Sequence, residues 1–359
     1  MATEPVVVIG GGVVGAAVTW SLARRGADVV LLEAQDGLAL SASGTNSGIL
    51  HTGFDSTPGE LETALIRRSA VLRDAVLDEL GIPVLRCGAV LEPHAAGDDT
   101  TIAAIVAGAR ENGVEVTVRA DGVLEVPGES VTDPVAYTRA LAASSGAEIR
   151  TGTRVGSLRR EGGGLVVDGE LHAAVVVNCA GLFADEVARM AGDDSFSVYP
   201  RKGEFFVFDG PELDRILLPV PTKRTKGVLV FPTIDGKVVA GPTAHDQEDK
   251  TDWSVRVEAR EEVLGKARAM FPALDGLEPI ASYAGLRPAG RGSNYVIGPS
   301  AACPALINVA AIRSTGLSAS LGIGEHVTAL VTEKGVELGP ERALPPGDVP
   351  VREEPWWRR

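Results

Sequence analysis

Aromatic residues make up only 4% of the 359 positions, so aliphatic side chains have to build the core. Cysteine is nearly missing, and Cys87, Cys179 and Cys303 lie too far apart for metal-ligand spacing. They read as small buried hydrophobes in a reducing compartment, and no metal site is expected. Positive charge is short, with 34 Lys and Arg against 48 Asp and Glu and a formal net charge of −14. That balance argues against nucleic acid or anionic membrane as a partner, since both need a basic footprint. No apolar run approaches the ~20 residues of a bilayer span. No basic segment followed by a cleavage site opens the chain, so the cytoplasm is the expected compartment.

Glycine, by contrast, is abundant at 43 residues, which suits an α/β fold with many tight strand-to-helix turns. The apolar run at 5–9 reads as a buried parallel strand, followed by a helix over 13–25 and a second buried strand at 28–33. Residues 60–80 are amphipathic, with Leu61, Leu65, Leu72, Val76 and Leu80 at helical spacing. Strand-like pieces follow at 84–92, 114–126, 153–159 and 164–168, with a helix near 133–145. Another buried strand at 173–178 leads into a helix at about 184–191. From 196 to 285 the alternation predicts a largely antiparallel sheet. At 306–332 a strand again leads through a small-residue turn into a helix. The segment from 338 is rich in Pro and charge and is expected to be mobile, although Trp356 and Trp357 at its end could dock.

Gly10, Gly12 and Gly15 carry the first motif. A tight turn at Gly10, close backbone approach at Gly12 and helix packing at Gly15 let a helix N-terminus meet a pyrophosphate. The loop follows a strand, opens a helix, and is followed ~20 positions on by an acidic residue, Glu33, suited to a ribose hydroxyl. Such a loop serves NAD and FAD alike. Two later returns of the chain, at 175–185 and 312–324, favour a flavin buried lengthwise between two domains.

Taken together, the stretches GGGVVGAAVTWSLARRG, SGTNSGILHTG, VVNCAGLFAD, PRKGEFFVFD, GVLVFPTIDGKVVAGPTAHDQEDKTD, YAGLRPAG and NVAAIRSTGLSAS resemble the D-amino-acid-oxidase superfamily of FAD enzymes. Within it the chain is most similar to the group of glycerol-3-phosphate dehydrogenases and oxidases and of L-2-hydroxyglutarate oxidases. The chain is shorter than that group between about 95 and 125, and it lacks a cysteine-rich C-terminal extension. The resemblance implies an α/β (α+β overall) fold, with a discontinuous Rossmann-like FAD-binding domain over 1–80, 130–193 and 284–336. A substrate domain on a mainly antiparallel sheet would take 81–129 and 194–283, and 337–359 would be a flexible tail.

The implied reaction is oxidation of a small anionic secondary alcohol by hydride transfer to flavin N5, sn-glycerol 3-phosphate to dihydroxyacetone phosphate foremost. L-2-hydroxyglutarate or another 2-hydroxy acid is the alternative substrate. A non-catalytic FAD-binding electron-transfer subunit is the alternative of another class. The electron acceptor would be oxygen, a quinone or a carrier protein. By the same resemblance His51 is the candidate base, with Lys250 and Arg313 completing the catalytic set. Arg287, Arg201 and Tyr283 are the candidate substrate contacts.

Cofactor contacts are expected from Gly10, Gly12, Val13, Val14 and Gly15, and from Glu33, Ala34 and Val155. The stretch Ser43, Thr45, Asn46, Ser47 and Gly48 would run beneath the pyrophosphate and flavin. Ala180, Gly181 and Arg287 would join them, with Thr315, Gly316, Leu317 and Ser318 at the flavin edge that gains negative charge on reduction.

Overall fold

A computed structural model describes residues 4–221, 227–349 and 354–358. Its organising element is a six-stranded sheet with spatial order Val296–Pro299, Leu306–Ala310, Val175–Asn178, Val6–Ile9, Val29–Leu32, Glu148–Arg150. The last five run parallel to one another, and the edge strand Val296–Pro299 is antiparallel to its neighbour. The runs VVVI, VVLL, VVVN and LINVA are buried throughout, as strands covered on both faces must be.

The two faces have different covers. Val6, Val8, Val29, Leu31, Val175 and Val177 pack into one cluster with the helices Val13–Arg24, Pro134–Ser145 and Gly316–Glu333. Val7, Ile9, Val30, Leu32 and Val176 pack instead with Leu158, Leu165 and Val167, which belong to a three-stranded antiparallel sheet. The architecture is therefore helix layer, parallel sheet, small β layer.

The helix Gly316–Glu333 lies very close to two others. A Cβ on Gly324 would stand 2.8 Å from the carbonyl oxygen of Ala17, and one on Gly322 would stand 2.3 Å from that of Leu65. Leu61–Glu79 forms the expected amphipathic helix, but its buried face is rotated from the one expected. Leu61 is exposed at 37% and Leu72 is half-buried. Ser69 and Arg73 are buried in their place, because their polar atoms meet backbone groups. Ser69 Oγ accepts from Gly322 N at 3.0 Å, and Arg73 donates to three carbonyls.

The second large sheet has nine strands and is almost wholly antiparallel, the exception being Ile216–Leu218 beside Ala89–Leu91. Its longest pair joins Val198–Phe208 to Ala281–Gly290 through ten registered residues, from Val198↔Gly290 to Val207↔Ala281. The whole strand Ala281–Gly290 thus lies in this sheet, crossing the border expected at 284.

Two helices escaped the sequence reading. Val257–Met270 buries Ala259, Val263, Leu264 and Ala267 against Phe206, Phe208 and Val230, an i, i+4, i+5, i+8 pattern inside a segment read as strands. Asp98–Glu111 buries only Ile102 and Ala109, too weak an apolar stripe to stand out. The segment expected to be a mobile tail is tied down along its described length. Gly339 N donates to Arg25 O at 2.8 Å, Leu344 and Val349 pack on the first core, and Trp356 and Trp357 are 2% and 4% exposed. The backbone bond satisfies a donor, and the packing removes apolar side chains from water.

Helix-interior glycines give a direct test of this packing. Gly265, in Val257–Met270, has open space where a Cβ would go, so Gly265→Ala should stabilise by about 0.5–1 kcal/mol. Gly322→Ala should cost ~1–3 kcal/mol through overpacking against Leu65. Thermal unfolding midpoints of the two variants should move in opposite directions.

Candidate active site

One cavity opens at the carboxyl ends of the parallel strands, where open α/β sheets bind ligands. Gly10 adopts φ +111°, and a Cβ there would stand 2.3 Å from the carbonyl oxygen of Cys179. A Cβ on Gly15 would stand 1.9 Å from the carbonyl oxygen of Gly10. Gly12 is the N-cap of Val13–Arg24, and Val13 N donates to Ser43 Oγ at 2.9 Å. Glu33, at the end of the second strand, accepts from Gly11 N at 2.6 Å and Gln35 N at 2.8 Å.

The resulting cavity measures about 1330 Å³ to its open mouth. Of the expected cofactor residues, Gly10, Gly12, Val13, Val14, Glu33 and Ala34 line it. Ser43, Asn46, Val155, Ala180, Gly181, Gly316 and Leu317 line it as well. Gly15 lies behind the loop as a packing position. The Cys179 thiol is buried, which raises its pKa, and it acts as a small core side chain. A cradle without space for side chains, a helix N-terminus and an acidic strand end together fit a dinucleotide pyrophosphate and ribose.

Ala42, Asn46 and Arg313 line both this cavity and a second one of about 1830 Å³ to its open mouth, so the two are adjacent. Thr45, Ser47, Arg287 and Thr315 line the second space, together with His51, Arg201 and Glu62. Phe54, Leu91, Phe205 and Phe231 form its apolar wall. Gly48 and Ser318 stand just outside. Gly48 makes a turn at φ +79° against the carbonyl of Thr132. Ser318 Oγ accepts from His51 N at 2.8 Å and donates to Ile49 O at 3.3 Å.

His51 faces the cavity with its side chain 23% exposed, and its Nδ1 lies 2.7 Å from Glu129 Oε2. Nε2 is the ring nitrogen left for a ligand. Arg201 and Arg287 sit directly opposite each other on adjacent strands. Arg201 is held bidentately by Asp246, at 2.6 and 3.0 Å. Arg287 donates to the carbonyl of Thr243 at 2.6 Å and makes no salt bridge among the described residues, the Asp246 charge acting on it from farther off. Burial, and then the nearby Arg201 charge, push its pKa down to about 10, which leaves the guanidinium charged at neutral pH. Gly203 makes room for it, since a Cβ there would stand 2.1 Å from Arg287 Nη2.

Arg313 is loosely held, 43% exposed and 3.2 Å from Glu62. Burial alone would raise the Glu62 pKa. Hydrogen bonds from Thr315 and Asn294 and the Arg313 charge outweigh it and hold the carboxyl below its usual range.

Two expected residues are not brought into this group. Lys250 Nζ pairs with Asp185 at 2.8 Å and Glu186 at 2.9 Å, over the ring of Phe183, outside the His51 cavity. Its loop leaves the edge strand His245–Asp246, and two carboxylates draw the ammonium to the helix Ala184–Met190 instead. Tyr283 stacks on Phe205 with ring centroids 4.9 Å apart and meets Trp356 edge-on, so it belongs to the wall's aromatic core. Sequence reading missed Glu129 and Glu62. Glu129 falls in the turn between the strands Leu124–Val126 and Ser130–Thr132, where no local pattern marks it. Glu62 shows no signal in a helix with many charges.

The family described as FAD dependent oxidoreductase matches residues 5–330. A glycerol 3-phosphate dehydrogenase of Caloramator mitchellensis is 26% identical over 380 residues, covering 97% of this chain and 79% of that protein. An L-2-hydroxyglutarate dehydrogenase of Escherichia coli is 28% identical over 267 residues, covering 66% of this chain and 63% of the other. In fold, the L-alpha-glycerophosphate oxidase of Mycoplasma pneumoniae, solved with FAD bound, superposes with a TM-score of 0.87 at 23% identity, over 96% of this chain and 98% of that one.

The cradle yields a quantitative expectation. Gly15→Ala should force the loop apart at an overpacking cost of ~1–3 kcal/mol, weakening FAD binding roughly 10–100-fold. Fluorescence titration of the apoprotein with FAD would read this, and an unchanged affinity would remove the loop from the cofactor site.

Proposed function

This chain belongs to the FAD-dependent oxidoreductase family, and we propose that it oxidises a small anionic secondary alcohol, with sn-glycerol 3-phosphate going to dihydroxyacetone phosphate. The observation that carries this reading is the cavity-facing guanidinium of Arg287, half-buried and in no salt bridge among the described residues, in the same space as His51. A desolvated cation with no carboxylate in direct contact is costly, and a substrate phosphate or carboxylate removes that cost. The substrates named for the two relatives, glycerol 3-phosphate and L-2-hydroxyglutarate, both present such an anion beside a secondary alcohol.

The loop 10–15, Glu33, Ser43 and the segment 315–317 would hold the cofactor. When bound, FAD supplies the acceptor for two electrons and the carbon-bound hydrogen. Arg287 takes the substrate anion in bidentate fashion, and Arg313 can leave Glu62 to add a second donor. The substrate hydroxyl then gives its proton to His51 Nε2, the role a near-neutral imidazole suits. Lys250 acts outside this chemistry, joining the edge loop of the antiparallel sheet to the helix Ala184–Met190.

Anaerobic addition of sn-glycerol 3-phosphate should bleach the visible flavin band of the purified protein. His51→Asn should slow that reduction roughly 10²–10⁴-fold. Arg287→Met should lower kcat/KM by ~1.5–3 kcal/mol, the worth of a charged hydrogen bond. Lys250→Met should leave flavin reduction unchanged and cost about 1–3 kcal/mol of stability, because it takes one partner from the buried Asp185 carboxylate. Faster bleaching by L-2-hydroxyglutarate would transfer the assignment to 2-hydroxy acids. Bleaching by neither unless a second protein is added would support an electron-transfer subunit.

A further inference from the structure

The buried face of His51 holds a group that neither the glycine loop nor the substrate cavity accounts for. Glu129 is fully buried. One carboxylate oxygen accepts from Thr52 N at 2.6 Å and Thr52 Oγ1 at 2.8 Å. The other lies 2.7 Å from His51 Nδ1. An ionised carboxylate only accepts hydrogen bonds, so Nδ1 has to be the donor of that contact. In a neutral imidazole this leaves the lone pair on Nε2.

The surroundings keep the pair in place. Arg73, buried on Leu61–Glu79, donates to the carbonyls of Leu50 at 3.0 Å, His51 at 2.8 Å and Gly128 at 2.8 Å. It therefore clamps the backbone on both sides of the dyad and sets a positive charge beside Glu129. Cys87 is the other titratable group facing the carboxylate, and burial pushes its thiol up to about 11, so it stays neutral. Among the described residues, Arg73 is the cation that faces the carboxylate from the buried side.

We propose that Glu129 is a positioning residue that fixes the His51 ring with Nδ1 protonated and the Nε2 lone pair presented to the substrate cavity, and that stabilises the imidazolium once Nε2 has taken the hydroxyl proton. The rate consequence rests on the alcohol-oxidation reading, whereas the tautomer does not.

Ring-nitrogen NMR of the labelled holoenzyme reads the tautomer directly. The wild type should carry its proton on Nδ1. In Glu129→Gln the side-chain carbonyl can keep Thr52 while the amide donates to Nδ1, which moves the ring proton to Nε2. That variant should keep its KM and lose roughly 10²–10⁴-fold in kcat. Glu129→Asp, which restores an acceptor, should recover at least ~10-fold of that loss. An Nε2-protonated neutral ring in the wild type, or a Gln variant with unchanged tautomer and kcat, would overturn the assignment. The wild-type spectrum decides the matter even where a variant does not fold. Flavin that no alcohol reduces would sink the reaction reading and leave the tautomer result standing.

Discussion

The carbonyl of Cys179 lies against Gly10, and the carbonyl of Gly10 against Gly15, so closely that neither glycine has space for a methyl group. Val6–Ile9 and Val175–Asn178 pair in register up to Ile9 and Asn178, so this approach is set where both strands end. It brings the glycine loop and the turn at 179–181 to one cavity. Leu306–Ala310, paired with Val175–Asn178, delivers the segment 311–317 beside them. The buried amides of Asn178 and Asn308, bonded to each other at 2.9 Å, lock that register. Three segments far apart in the chain thus reach a single cavity because three strands share one sheet.

The parts of this arrangement that were legible in the sequence are those written in local pattern. Runs such as VVVI and VVLL show burial on both faces, and the spacing of Gly10, Gly12 and Gly15 shows a turn into a helix. Contacts between segments leave no comparable trace. Glu129 meets His51 and Thr52 across 78 and 77 positions, and nothing near either end announces the meeting. Lys250 shows the converse. Its segment resembles an active-site stretch, while its ammonium pairs with Asp185 and Glu186, about 65 residues earlier. The same holds for Tyr283, whose strand was read correctly but whose ring is claimed by Phe205 and Trp356, the latter in a segment expected to be mobile.

The chain carries a net charge of −14, yet the cavity it encloses is lined by Arg201, Arg287 and Arg313. At physiological salt the surface charges are screened beyond about 8 Å, so they do not cancel the local field within the cavity. Like charges directly opposite on neighbouring strands are destabilising, and Arg201 and Arg287 occupy such a pair. Asp246 compensates the first through two hydrogen bonds. The second has one hydrogen bond, to a backbone carbonyl, and feels the Asp246 charge only from farther off. The missing side chain at Gly203 gives its guanidinium the space to remain there.

Arg313 is held differently, by Glu62, which also takes hydrogen bonds from Thr315 at 2.6 Å and Asn294 at 2.6 Å. Those two neutral donors keep Glu62 satisfied if Arg313 turns away, so releasing the arginine costs only one contact of 3.2 Å. Arg287 lies within a paired strand, whereas Arg313 is held by one long contact. In the proposed reaction the first would set where the anion sits and the second would adapt to its size. That division of labour would accommodate either a phosphate or a carboxylate beside the same His51. Discrimination between the two would then fall to the apolar wall of Phe54, Leu91, Phe205 and Phe231, which limits how far the rest of the substrate can extend.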